Sequence, residues 1–177
     1  MNALRFDAGS LSLDLVATVG RRYGEPVERL ASVERLREWL RGVGLDVDGP
    51  LREDDLRRIR SLREDLHSLL RDLLEGGRPS SRVIGRVNAA AGTPRLRTTR
   101  TGLALERSGR PLDPVVALIA ADAIRIVVGS ERADLRVCDA GDCRMLYLAR
   151  GRRARRWCSS ERCGNRSRVA THRARAV

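Results

Sequence analysis

Four residues separate Cys138 from Cys143, four separate Cys158 from Cys163, and these are the only cysteines among 177 residues. Two C-x4-C pairs offer four thiolates, the donor set that a tetrahedral Zn2+ takes at about 2.3 Å. Four protein ligands leave no position for water or substrate, so the chemistry implied is one structural Zn2+ rather than a catalytic one. Neither the C-x-x-C redox spacing nor the common ferredoxin spacing is present. Asp139 to Asp142, with Gly141, suits the tight turn of a metal knuckle. A segment of about 40 residues cannot assemble an adequate apolar core, and a metal would take its place.

The residues around the cysteines are strongly basic. All 35 basic residues of the chain are Arg, against 23 acids, for a formal charge of +12. Residues 136–177 hold 12 Arg and 3 acids, whereas residues 1–135 hold 23 Arg and 20 acids. A polyanion partner therefore belongs to the C-terminal part. Five of the seven residues from Arg150 to Arg156 are Arg, a run whose self-repulsion phosphates would relieve. Arg150, Arg152, Arg153, Arg155 and Arg156 are the expected phosphate contacts. Trp157 either stacks on a base or fills a small core, and its position beside a ligand favours the core.

Arg136–Val137 and Met145 to Leu148 read as the strands of a hairpin around the first pair, and a helix is expected from Ser159 or Ser160 onward. On that helix Cys163, Ser167, Ala170 and Ala174 share a face turned toward the knuckle. Arg162, Arg166 and Arg173 stack on a second side, with Arg168 and Arg175 beside His172 on another. This wide cationic surface suits insertion beside a duplex, and Arg162, Arg166, Arg168 and Arg173 complete the candidate nucleic-acid contacts.

The preceding residues must hold this module in place. Hydrophobic residues make up 42% of the chain but aromatics only 3%, so its core is built from Leu, Val, Ile and Ala. Ser10 caps a short element over Leu11 to Val19, read as helix ahead of strand. Val33, Leu36, Trp39 and Leu40 mark a helix after Ser32. Ile59, Leu62, Leu66, Leu69 and Leu73 mark the strongest one, about Arg52 to Glu75, closed by Gly76-Gly77 and supported by Glu53–Arg57 and Asp54–Arg58 pairs. Its apolar stripe reads as bundle core rather than dimeric coiled coil. Pro79-Ser80-Ser81 opens a helix to Ala91, Leu96 to Thr99 and Leu103 to Glu106 read as two short strands, and Pro114 to Val128 reads as a central buried helix.

Val115 to Val128 is broken by Asp122 and Arg125, and Asp14 divides Leu11 to Val19, so neither a membrane span nor a secretory signal is expected. The expectation is a soluble cytoplasmic protein with reduced cysteines. Asp14, Asp122 and Arg125 either line a small-molecule pocket in the bundle or form structural pairs, and pairing is favoured because an isolated buried charge is costly. His67 and His172 lie far apart in sequence, with no nucleophile elbow or phosphate loop, and no enzyme is expected.

The stretch Arg155-Arg156-Trp157-Cys158-Ser-Ser-Glu-Arg-Cys163-Gly164-Asn165-Arg166 resembles the CGNR zinc finger family, with Cys138 and Cys143 where its first ligand pair belongs. Leu13-Asp14-Leu15-Val16-Ala17-Thr18 resembles the ABATE domain that precedes this finger in bacterial proteins described as stress-induced transcriptional regulators. Ala17 stands where members often carry Asn, and Leu148 where Asp would be expected. Within the tetrapeptide, Gly164 would let backbone N–H groups approach a thiolate, Asn165 would fix the hairpin loop, and Arg166 would contact phosphate or a guanine edge.

The expected architecture is mostly α: a helical domain with a small β-hairpin over residues 1–133, then a treble-clef-like four-cysteine finger, hairpin plus helix, over residues 134–177. The resemblance implies a zinc-containing DNA-binding transcriptional regulator of stress responses, nucleoid-associated when bound. Its front domain would sense a small-molecule effector or form a homodimer. The alternative is a zinc-stabilised RNA-binding or protein-interaction module.

Overall fold

The computed structural model describes residues 3–99, 102–106, 109–150 and 155–175. Helix α1 (Leu11–Val16) starts where the Ser10 side chain accepts a hydrogen bond from the Leu13 N–H, satisfying a donor that a helix start leaves unpaired. It is buried nearly all round and ends in strand β1 (Val19–Gly20), which pairs antiparallel with β2 (Val27–Glu28), Val19 opposite Glu28. This hairpin is absent from the sequence reading. Its strands are two residues long, too short for an alternating pattern, and a buried arginine fixes them. Arg63 donates to both carboxylate oxygens of Glu28, at 2.8 and 2.7 Å, and to Thr18 Oγ1 at 3.1 Å. Desolvation alone would raise the Glu28 pKa, but the Arg63 hydrogen bonds and charge hold it below the usual carboxylate range.

Helix α2 (Val33–Gly42) is capped by Ser32 and buries Leu36, Trp39 and Leu40. Helix α3 (Glu53–Leu74) buries Leu56, Ile59, Leu62, Leu66, Leu69 and Leu70, the expected stripe widened by neighbouring positions. The expected Glu53–Arg57 and Asp54–Arg58 pairs are replaced. Arg57 pairs with Asp54 one position nearer, and Arg58 reaches across to Asp113, whose carboxylate also accepts from the Arg110 N–H at 2.8 Å. An anionic side chain in the first turn of the next helix attracts Arg58 better than its own helix does.

Helix α4 (Ser81–Ala91) is capped by Ser80, and strands β3 (Leu96–Thr99) and β4 (Gly102–Leu105) pair antiparallel with Leu96 opposite Leu105. Helix α5 (Asp113–Val128), with Pro114 in its first turn, packs against α1, α3 and α4 through Val115, Val116, Ile119, Ala120, Ala123 and Ile126. A 3-10 turn (Ser130–Asp134) leads into β5 (Leu135–Val137), which pairs antiparallel with β6 (Leu146–Leu148), Arg136 opposite Tyr147. A π-turn (Ser160–Gly164) then passes into α6 (Asn165–Arg175). The protein is mostly α with small hairpins, and its last elements are the hairpin and helix expected around the cysteines.

The finger does not hang from the bundle. Leu135, Leu146, Tyr147 and Leu148 belong to the same contiguous core as α1, α3 and α5, and the Leu148 N–H donates to the Ala8 carbonyl at 2.8 Å. Leu148 is buried against the N-terminal segment, where a Cβ on Gly9 would approach its Cβ to 3.0 Å. An aspartate at this position would be desolvated there.

Candidate metal centre and its basic surroundings

The first knuckle is built by backbone bonds. The Cys138 N–H donates to Met145 O at 2.9 Å, Cys143 N–H to Ala140 O at 2.9 Å, and Arg144 N–H to Ala140 O at 3.1 Å. The left-handed residue of this turn is Arg144, at φ 48°. The second pair comes from Cys158 and from Cys163 in the π-turn, whose start the Ser159 side chain caps by accepting from the Arg162 N–H. Asp139 N–H donates to Arg156 O at 3.0 Å, tying the knuckles together.

This folding brings all four Sγ atoms within 4.8 Å of one another, and all four cysteines are buried. Cys143 and Cys158 are 3.8 Å apart at sulfur, and Cys158 and Cys163 3.6 Å. Tetrahedral ligation at about 2.3 Å from metal to sulfur places the sulfurs about 3.8 Å apart, whereas a disulfide needs about 2.05 Å. The donor set and its spacing fit one zinc ion.

Four thiolates around Zn2+ carry two net negative charges, and two arginines face them. Arg5 is buried, donates to Cys158 Sγ at 3.4 Å, and is held in place by two bonds to Asp7, at 2.9 and 2.7 Å. Nothing in the local sequence around Arg5 marks it, because it reaches the centre across 153 positions. Arg166 donates to Cys163 Sγ at 3.5 Å and to Asp142 at 3.0 Å, so it links the two knuckles. Within the tetrapeptide, the Gly164 N–H goes to Ser159 O at 3.0 Å rather than to a thiolate, and a Cβ there would meet the Trp157 ring at 3.5 Å. Asn165 accepts from Arg168 on its own helix instead of fixing the hairpin loop. Trp157 is half-buried against the core, the filler role expected of it.

The other expected nucleic-acid contacts fall into two groups. Arg150 pairs with Glu131, Arg156 pairs with Asp139 at 2.8 Å and lies over the Trp157 ring, and Arg155 lies over the Tyr147 ring and donates to the carbonyls of Asp7 and Leu148. These three are exposed but engaged. Arg152 and Arg153 lie outside the described residues. Arg162, in the π-turn, and Arg173, on α6, have no ion-pair partner among the described residues, and with Arg166 they line one cleft. Their side is exposed and borders the cleft, which is open, of about 910 Å³, and has Gly20, Arg21 and Arg29 of the β1–β2 hairpin as its far wall.

Asp14, Asp122 and Arg125 line none of the described cavities. Asp122 accepts from Ser12 N–H at 2.9 Å and Ser12 Oγ at 2.6 Å near the start of α1, and pairs with Arg125 at 2.8 Å. Asp14 accepts from the Ala8 N–H at 2.9 Å. They are structural pairs and helix-end contacts, the favoured alternative to a pocket.

Fold and site together define a zinc-binding protein in which a four-cysteine finger is packed onto a helical domain. A family model described as "Putative stress-induced transcription regulator", ABATE, matches residues 9–130, and the CGNR zinc finger model matches residues 135–176. The chain belongs to the ABATE family and carries a CGNR zinc finger. No curated protein matches it. No helix among the described residues is long and apolar enough to cross a membrane.

Proposed function

We propose that this protein is a zinc-dependent, DNA-binding transcriptional regulator of the cytoplasm, whose finger contacts DNA and whose helical domain conditions that contact. The observation that carries the reading is the surface of the π-turn and α6 bearing Arg162, Arg166 and Arg173, held directly beside the four cysteines. The four-sulfur centre is what fixes the start of that helix, because Cys163 lies in the turn from which α6 grows. A bound metal supplies the cross-link that a short, arginine-rich segment lacks. Arg5 and Arg166 offset the charge of the sulfurs, and Arg162 and Arg173 remain available to phosphates or base edges. Asp14, Asp122 and Arg125 are committed to structural bonds, which supports a regulatory and not an enzymatic role.

The test is fluorescence anisotropy of the zinc-loaded chain with duplex fragments selected from the source genome, over a range of salt. We expect log affinity to fall linearly with log salt, and Arg162→Ala or Arg173→Ala to weaken binding and reduce the slope by about 1 each. Arg155→Ala and Arg156→Ala should move it less, since both side chains hold the finger's own surface. A slope indifferent to Arg162 and Arg173, or tighter binding of structured RNA at matched salt, would overturn the proposal.

A further inference from the structure

The cleft between α6 and the β1–β2 hairpin has a charge balance that the metal centre does not explain. Six arginines line it: Arg5, Arg21, Arg29, Arg162, Arg166 and Arg173. Arg5 and Arg166 face sulfur, and Asp142 takes up Arg166 at 3.0 Å and Arg21 at 3.3 Å. Three cations are left over. Among the described residues Arg29 donates to backbone carbonyls alone, Ala3 O at 2.8 Å and Ala17 O at 3.2 Å, and burial together with the like charges of Arg5 and Arg162 disfavours its cation. Arg162 and Arg173 have no ion pair among the described residues. The carboxylate of Glu161 is the only one in the lining without an ion pair among the described residues.

The hairpin is shaped to hold Arg29 there. A Cβ on Gly20 would come within 2.3 Å of the Arg29 guanidinium, so the absence of a side chain at 20 lets that group lie across β1 into the cleft. Asn165 and Ser167 add neutral polar groups to the wall, and one part of it is apolar. Met145, Ala170 and Val169 line it, and Val169 is half-exposed on an otherwise polar helix. Like charges gathered at a partly buried site are stabilised by an anion. The volume matches small-molecule sites, which range over about 300–1,000 Å³.

We propose that this cleft binds a small phosphorylated metabolite of mononucleotide size, its phosphate held among Arg29, Arg162 and Arg173 and its less polar body against Met145, Val169 and Ala170. A phosphate monoester carries a charge of about −1.5 to −2 at neutral pH, which suits three cations opposed by one carboxylate. The site joins the helical domain to the finger helix, so occupancy would engage the same arginines that are offered to DNA. Ligand and duplex would then compete, each weakening the other by the same factor.

The experiment is isothermal titration of the zinc-loaded full chain with AMP, inorganic phosphate and adenosine. AMP should bind saturably, phosphate more weakly, and adenosine not at all. Arg162→Ala and Arg173→Ala, both at exposed positions, should each weaken AMP on the order of tenfold, the loss of a charge-assisted hydrogen bond. Gly20→Ala, which displaces the Arg29 guanidinium without touching its backbone partners, should weaken it too. Arg82→Ala, exposed on α4, should leave it unchanged. Absence of saturable AMP binding, phosphate binding as tightly as AMP, or AMP binding indifferent to both α6 variants would overturn the proposal. The titration contains no DNA, so its failure leaves the DNA-binding reading to its own assay.

Discussion

Helices α3 and α5 bury Leu56, Ile59, Leu62, Leu66, Leu69, Val115, Val116, Ile119 and Ile126 against one another and against α1. The finger, by contrast, places Cys138, Cys143, Cys158 and Cys163 in its interior, with Leu146 and Leu148 of β6 joined to the bundle's core and Tyr147 between them hydrogen-bonded to the finger's own Arg155 carbonyl. The first region derives its order from apolar area, at roughly 25 cal/mol per Å² removed from water. The second lacks that area: α6 is exposed along nearly its whole described length. It therefore depends on a metal on one side and a borrowed core on the other. The finger has only three acids for its arginines, and with Asp139 taken by Arg156 and Asp142 by Arg21 and Arg166, Arg162 and Arg173 are left without an ion pair among the described residues. A helix that need not pack can be given over to a ligand.

Metal removal should separate the two regions most sharply. Zinc modules gain about 10–16 kcal/mol of apparent free energy from the ion. A strong chelator, or Cys143→Ser, should expose the arginines of residues 155–175 to trypsin while α3 and α5 stay protected and most helical circular dichroism remains. One zinc per chain should be measured in the untreated protein. Simultaneous loss of protection in α3 would mean that the two regions form one cooperative unit. In the converse change, Leu66→Ala removes a fully buried side chain and should cost about 2–5 kcal/mol in urea unfolding, with zinc stoichiometry unchanged at low denaturant.

Arg5 is where the regions meet, and Arg5→Met tests how far the metal centre leans on the bundle. Residues that hydrogen-bond metal ligands typically contribute 10–100-fold to affinity. Competition with a chromophoric chelator should show a loss in that range, with a melting temperature for the bundle close to that of the parent. Unchanged zinc affinity would mean that the bond to Cys158 is incidental.

What could be read in advance follows the same division. The helices α2 to α5 are legible in the sequence because apolar residues recur at helical spacing or run together, with Ser caps before α2 and α4 and glycines after each helix, and the zinc site because four cysteines in two equal pairs admit few other uses. The β1–β2 hairpin is not, since Arg63 and Glu28 create it from 35 positions apart. The partners of Arg5 and Arg166 are hidden for the same reason. So is the cleft: the spacing of Arg162, Arg166 and Arg173 predicts a shared side of a helix but not which surface that side meets. Within the motif, Cys163 and Arg166 meet the sulfurs, whereas Gly164 lies under Trp157 and Asn165 bonds along α6, a division that residue types alone do not show.

The bundle's interior also differs from the finger's in carrying groups that titrate in mild acid. Burial pushes the Asp14 carboxyl up to about 6 from 3.8, and burial with the charge of Arg22 pushes His67 down to about 4 from 6.5. Their effects on stability have opposite signs. Between about pH 4 and 6 the folded chain holds a proton on Asp14 that the unfolded chain releases, so this contribution falls as pH rises through that window. Between about pH 6.5 and 4 the unfolded chain protonates His67 and the folded chain resists, so that contribution falls as pH drops. The two oppose each other where they overlap. Asp14→Asn keeps an acceptor for the Ala8 N–H and removes the first. Its urea midpoint should gain on the parent as pH is raised from 4 to 7, by roughly 1 kcal/mol once solvent screening is allowed for. Taking the difference between the two chains at each pH cancels the thiols, which are common to both. A difference that stays constant across the window would place Asp14 in water and remove it from the bundle's interior.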